Sequence, residues 1–252
     1  MELLLYIYIT VLGLVFGSFF NVVGLRVPEG QSIVKPRSHC PNCNHELSAL
    51  ELIPVFSFIL LKGKCKSCGS RISWIYPVFE LLTGALFLLS AVLIGWTPEL
   101  IVALLLMSLL MIVFVSDINY MIIPDKVLIF FAPLFLLARI FIPLTPWWSA
   151  FVGSAVGFFL LLLIAYISRG GMGGGDIKLF AVLGLALGWK GILLTLMLAS
   201  LYGSVIGLIG LLFGKIKRGE PFPFGPFIVL GTVTAYFFGQ PIVEWYVDFI
   251  SL

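Results

Sequence analysis

The sequence predicts an all-α polytopic membrane protein, and three observations predict it. Hydrophobic residues make up 61% of the 252 residues and charged residues 11%, against roughly 45–50% and 25% in soluble domains. There is too little charge to cover a water-exposed surface, and the mean hydropathy of +1.15 agrees. Apolar segments of about the length needed to cross roughly 30 Å of hydrocarbon recur along the chain, and all four cysteines fall in one polar stretch between the first two. The same composition excludes collagen-like, disordered and disulfide-scaffold classes. A formal net charge of +3 is too small to imply nucleic acid as a partner.

The first apolar segment, 3–25, has no basic stretch before it and no small-residue cleavage site before Arg26, so it reads as a mature helix rather than a signal peptide. Residues 26–71 form a polar domain. Seven further spans are expected at 72–95, 100–116, 127–145, 149–167, 177–189, 191–213 and 226–248, which makes eight. The segment 177–189 is short and gains length only if Asp176 or Lys178 snorkels at the interface. Turn-like joints stand at Trp96–Glu99, Pro143–Pro146 and the glycine run Gly170–Gly175. No internal repeat is visible in the sequence.

Orientation follows from Lys and Arg near the span ends. With eight spans and the N-terminus outside, the inner segments carry 13 of the 15 basic residues, Arg139 lies within a span and Lys190 alone lies outside. Both termini are then expected outside. The domain 26–71 and three loops, at about 117–126, 168–178 and 214–225, are expected on the cytoplasmic side.

Within that domain Cys40-Pro-Asn-Cys43 and Cys65-Lys-Ser-Cys68 are two C-x-x-C pairs separated by 21 residues. Four thiolates so arranged suit a tetrahedral Zn²⁺. The alternative is two disulfides, which a reducing cytosol opposes. Lys62, Lys64 and Lys66 would offset the negative charge of a four-thiolate centre. His39 and His45 are surplus to a filled site, whose role is structural because no coordination position stays open. The fold expected is therefore about eight transmembrane helices with a small cytoplasmic zinc-binding domain between helices 1 and 2: residues 1–25, 26–71 and a bundle over 72–252.

Two acidic residues end apolar runs. Asp117 closes Met111-Ile-Val-Phe-Val-Ser-Asp117, and Asp176 follows Gly173-Gly174-Gly175. An ionisable residue at the end of a membrane helix is costly and is a candidate functional group. Both are expected on one leaflet, where paired carboxylates can share a proton, one activating water and the other protonating a leaving group. The glycines would leave a cleft for an extended peptide. Other readings stay open: the glycines as a flexible joint or a phosphate-binding turn, Asp176 as a helix cap, Asp117 as an interfacial residue. Asp125 is a rival partner or a cap of the fourth span.

Further motifs, taken in order, resemble the type IV prepilin peptidase family, aspartic leader peptidases of the GxGD type that are also N-methyltransferases. These are Gly17-Ser-Phe-Phe-Asn21 with Arg26 and Pro28, Ser38–Cys43, Ile53-Pro54, Cys65/Cys68, Ile72-Ser73, Tyr76-Pro77 and Glu80-Leu-Leu-Thr-Gly84. Asp117 with Ile123-Pro124-Asp125, Gly173-x-Gly175-Asp176 with Lys178, and Pro223–Phe227 complete the set. The resemblance implies a membrane endopeptidase with catalytic Asp117 and Asp176 and an active-site loop holding Gly173, Gly175 and Lys178. It also implies S-adenosylmethionine-dependent methylation of the new N-terminus, for which Glu80 is a candidate cofactor-binding residue, although it equally suits an ion pair with Arg71 or another basic residue. Two departures bear on methylation: Leu52 where such sequences often carry Asn, and Trp74-Ile75 where they often carry Pro-Arg.

The function expected is removal of a basic leader from type IV prepilins or pseudopilins at the inner face of the cytoplasmic (inner) membrane, with lipid as the surrounding partner. The alternative is a proton-coupled transporter using its intramembrane acids. Against it, the acids gather at one face and do not line a path. A zinc-stabilised adaptor without chemistry is the third reading.

Overall fold

The computed structural model describes residues 2–168, 171–214 and 223–250. Arg169, Lys215, Lys217 and Arg218, four of the charges in the orientation argument, lie outside the described residues. The helices are α1 (Glu2–Arg26), α2 (Phe56–Leu60), α3 (Ile75–Ile94), α4 (Glu99–Tyr120), α5 (Asp125–Phe141), α6 (Ser149–Ile167), α7 (Gly174–Leu212) and α8 (Gly225–Ile250). Among the described residues the only sheet-like pairings are two isolated bridges, His39 with Glu46 and Lys64 with Arg71.

Among the described residues, six helices (α1, α3, α4, α6, α7 and α8) are long and apolar enough to cross a bilayer. The eight expected segments correspond to these once two details are added. The 17-residue α5, with Pro133 inside it, supplies one more. The 39-residue α7 supplies two, because Gly188 breaks it with φ 74° and ψ 178°. That conformation suits glycine, which has no Cβ to clash. The expected break at Lys190 falls two residues late: the backbone turns where a glycine permits it, and the charge only follows. The first arm, 174–187, reaches about 21 Å at 1.5 Å per residue, short of the hydrocarbon thickness.

The arms of α7 double back. A side chain added at Gly157 would touch both the Phe180 carbonyl and Ile192, residues that a continuous helix would hold roughly 18 Å apart. Arg139, buried in α5, donates from Nε to the Ala186 carbonyl at 3.1 Å, with a second bond from the same guanidinium. It thereby caps the carbonyl end of the first arm, which the break leaves without helical partners. That accounts for an arginine inside an apolar segment.

The chain packs as two compact units, residues 1–115 and 116–252. In the first, Gly13-x-x-x-Gly17 of α1 faces α3: a Cβ at Gly13 would lie 2.8 Å from the Gly84 Cα, and one at Gly17 2.9 Å from the Glu80 Cα. In the second, Gly153-x-x-x-Gly157 of α6 faces α7, with a Cβ at Gly153 falling 2.6 Å from the Gly184 carbonyl. Small residues four apart let helix backbones approach where lipid provides no hydrophobic drive for association.

The cysteine region contains a repeat that the sequence reading missed. Cys40 N–H donates to the His45 carbonyl and Asn44 N–H to the Cys40 carbonyl; Cys65 N–H donates to the Ser70 carbonyl and Gly69 N–H to the Cys65 carbonyl. The fifth residue of each turn is left-handed, Asn44 at φ 57° and Gly69 at φ 70°. Each turn is closed by one of the two bridges. Sequence identity between CPNCNHE and CKSCGSR is confined to the cysteines, so the shared backbone path is hard to see in one dimension. Asn and Gly are the residues that tolerate that φ.

Candidate functional site

Three arrangements carry chemistry. The first is the four-thiol cluster. Its ligand atoms all lie within 4.8 Å of one another, with Cys40 Sγ 3.8 Å from Cys68 Sγ and Cys43 Sγ 3.9 Å from Cys65 Sγ. Sulfurs at the corners of a tetrahedron around zinc, with Zn–S about 2.3 Å, would stand about 3.8 Å apart. A disulfide needs about 2.05 Å, and the four cysteines are free. Ser70 Oγ lies 3.1 Å from Cys68 Sγ and 3.4 Å from Cys40 Sγ. Its hydroxyl and backbone N–H hold the Cys68 thiol down to about 6, and the Ser70 hydroxyl also lowers Cys40. Cys43 is lowered by the His45 N–H, yet burial and the neighbouring thiols outweigh this and push it up to about 11. Sulfurs this close cannot all ionise together without a cation among them, and a zinc ion would supply that charge. His45 is engaged elsewhere, 3.4 Å from the Glu51 carboxylate.

The second arrangement is the carboxylate pair, both members in the unit 116–252. Asp117 is buried, in the last turn of α4, and its Oδ2 accepts the Gly225 N–H at 2.8 Å. Gly225 is the first residue of α8, so the Asp117 carboxylate sits at a helix N-terminus, where N–H groups lack helical partners. Asp176 stands in the first turn of α7, its N–H on the Gly173 carbonyl at 3.2 Å. It too is at a helix N-terminus, and the charge of Asp117 acts on it. Glycine is required on both sides. A Cβ at Gly225 would lie 2.6 Å from Asp117 Oδ2, and one at Gly175 would lie 2.9 Å from Ile123 Cβ.

Gly173 is the N-cap of α7, and Gly175 and Lys178 are within the helix. The expected loop is therefore largely a helix start. Asp176 is not the N-cap of α7, which is Gly173, but its carboxylate takes a hydrogen bond from the Gly173 backbone. Asp125 does not cap α5. Its Oδ2 accepts from Lys178 Nζ at 2.7 Å, with both side chains more than half exposed. The pair ties the start of α5 to the start of α7 and gives Asp125 a partner other than Asp117. The Gly225 amide was the feature missed: Pro223–Phe227 stood out as a motif, but nothing in it signals which side chain its backbone meets.

The third arrangement surrounds Glu80 on α3. Its Oε2 accepts the Val55 N–H at 2.8 Å, and Ser18 on α1 also bonds it. Val55 has φ 62°, a strained conformation for a β-branched residue, and its amide is held there by Glu80. No ion pair joins Glu80 to Arg71 among the described residues. Beside Glu80 a cavity of about 420 Å³ opens between α1, the cysteine region and α3. Leu52, one of the two departures, lines it, while Ile75 does not.

Comparison with known proteins agrees with this architecture. The bacterial peptidase A24 N-terminal domain matches residues 11–94, and the type IV leader peptidase family matches residues 104–208. The prepilin leader peptidase/N-methyltransferase of Bacillus subtilis (strain 168) is 45% identical over 237 residues, 94% of this chain and 96% of that protein. Proteins of the same name from Aeromonas salmonicida (strain A449) and Stutzerimonas stutzeri are 34% and 33% identical. The matches cover 94% and 96% of this chain, and 92% and 93% of theirs. No solved structure matches. The chain belongs to the type IV leader peptidase family.

Proposed function

We propose that this protein is a membrane aspartic endopeptidase that removes the leader from type IV prepilins or pseudopilins and then N-methylates the residue it exposes. The observation that supports the peptidase reading is that Asp117 and Asp176 lie in one unit, each carboxylate at the N-terminus of a helix and near enough for the charge of Asp117 to act on Asp176. In this reading the two carboxylates share one proton, since two in contact cannot both ionise cheaply. The ionised carboxylate takes a proton from water as its oxygen attacks the scissile carbonyl. The protonated partner gives its proton to the departing nitrogen when the C–N bond breaks. Gly173 leaves room for an extended substrate backbone beside the pair, Gly175 lets α7 pack against Ile123, and Lys178 holds the start of α7 through Asp125.

Cys40, Cys43, Cys65 and Cys68 would hold a structural Zn²⁺ that fixes the two turns of the 26–71 region. S-adenosylmethionine would supply an electrophilic methyl group, with Glu80 facing its cationic part or the new amino terminus. The division into a first helix over 1–25, a methyltransferase part over 26–71 and a peptidase bundle over 72–252 belongs to the same reading.

Sidedness is inferred from charge: the basic residues place the zinc region and the aspartates on the cytoplasmic side of the cytoplasmic membrane, with both termini outside. A basic leader would then stay inside while the apolar pilin helix lies in lipid. Nothing in the family or the geometry favours the transporter, and no nucleic-acid partner is proposed. Co-expression with a leader-bearing pilin, followed by intact-mass analysis, tests both activities. A product lacking the leader and heavier by one methyl group is expected; an uncut precursor overturns the reading.

A further inference from the structure

Helix α2 turns most of its large apolar side chains outward. Phe58 is buried, its ring 4.6 Å from that of Trp74, which is the N-cap of the membrane span α3. Phe56, Ile59 and Leu60 are 66%, 65% and 78% exposed. At helical spacing these three fall within about 100° of arc, on the side away from Phe58. Trp74 itself is 73% exposed, and Ile75, Tyr76 and Val78 follow it into α3 with exposed apolar side chains. The backbone donors of α2 need no water: the N–H groups of Phe56, Ser57, Ile59, Leu61, Lys62 and Gly63 all donate to carbonyls within the protein.

Positive charge accompanies this face. From Leu52 to Phe79 the chain carries Lys62, Lys64, Lys66 and Arg71, all exposed, and no acidic residue. The acids of the region 26–71 are Glu29, Glu46 and Glu51, and Glu51 is occupied by Ser48 and His45. A four-thiolate zinc centre carries two negative charges net, which leaves the stretch positive. Exposed apolar surface rimmed by charge marks an interaction site. Four large side chains fall well short of the roughly 20–30 residues a side of a stable protein interface, whereas lipid demands no matching shape. Apolar side chains beside lysines, with a tryptophan at the end of a span, characterise a surface lying in the headgroup region. We propose that the outer face of α2, together with Trp74, docks onto the surface of an anionic bilayer. Phe56, Ile59 and Leu60 enter the acyl boundary, and Lys62, Lys64 and Lys66 meet phosphate headgroups. The cysteine region is then seated on the membrane that its flanking helices cross, and the contact of Phe58 with Trp74 sets its depth at the start of α3. The inference depends on neither the peptidase chemistry nor the methyl donor.

Photo-crosslinking in nanodiscs tests the docking. Full-length protein with p-benzoylphenylalanine in place of the exposed Leu60 is set in a bilayer of mixed phosphatidylglycerol and phosphatidylcholine, with prepilin present, and its adducts are identified by mass. Lipid adducts are expected, with phosphatidylglycerol enriched about threefold or more over its share of the bilayer, since each lysine near an anionic surface adds attraction. Replacing Lys62, Lys64 and Lys66 together by Gln should abolish the enrichment, with zinc content reporting that the region is intact. Wild-type protein gives a second reading that needs no substitution: hydrogen exchange over 56–62 should be about threefold or more slower in phosphatidylglycerol than in phosphatidylcholine nanodiscs. Adducts to prepilin or to a second copy with none to lipid, lipid adducts in the bulk ratio, or exchange indifferent to the headgroup would each overturn the proposal.

Discussion

The carboxylate of Asp117 accepts the backbone N–H of Gly225, 108 residues further along the chain, at 2.8 Å. The bond fixes one candidate catalytic group against the first residue of α8, and only a residue without a Cβ fits there. Gly225→Ala is therefore expected to displace the carboxylate, and a shift of about 1 Å can cost about 10²-fold in rate. Leader cleavage in detergent should fall by that order while zinc content stays at the wild-type level. Undiminished cleavage would mean that the Asp117–Gly225 bond does not position the reacting group.

Asn is nearly isosteric with Asp but neither takes nor gives the proton that hydrolysis needs. Asp117→Asn and Asp176→Asn should each lower cleavage by about 10²–10⁴-fold, the usual range for general acid–base groups, with fold and zinc intact. Asp125→Asn removes only an exposed ion pair, worth about 0–1 kcal/mol, and should leave most activity. Gel analysis of pilin processing by the three variants decides between the pairings. Methylation should continue on a pre-cut substrate in all three.

Purified protein should contain about one zinc per chain, and Cys40→Ser or Cys68→Ser should release it. Chelation or acidification should do the same, since protons compete with metal for thiolates. Hydrogen exchange should then rise across 38–72 and stay low in α6 and the first arm of α7. Metal-free protein with paired disulfides would contradict the tetrahedral sulfur spacing.

Gly184 of α7 meets the backbone of α6 at Gly153. Gly184→Ala has no room unless the helices part, and should cost about 1–3 kcal/mol. A lowered thermal midpoint checks this; an unchanged one would mean that the two helices can separate at no cost.

Glu80→Gln keeps an acceptor for the Val55 N–H but removes the charge. Methylation of a pre-cut substrate should fall about tenfold or more, as a charged contact is roughly twice as strong as a neutral one, while cleavage proceeds. Wild-type methylation would leave Glu80 only its hold on Val55.

Composition and apolar runs determined the membrane class and nearly every helix, because a segment that must satisfy its backbone within lipid has to be an apolar helix of a set length. Cysteine spacing determined the four-cysteine cluster, because a C-x-x-C turn brings its two thiols together locally. Tertiary structure decided what depends on residues far apart in the chain. It folded α7 back at Gly188 instead of Lys190, gave Arg139 the carbonyl end of that arm, and paired Asp125 with Lys178. It also brought Gly225 to Asp117, and Phe58 to Trp74. Each of these is a contact between a side chain and a distant backbone group or side chain, and neither periodicity nor local spacing encodes where a remote N–H or carbonyl will arrive.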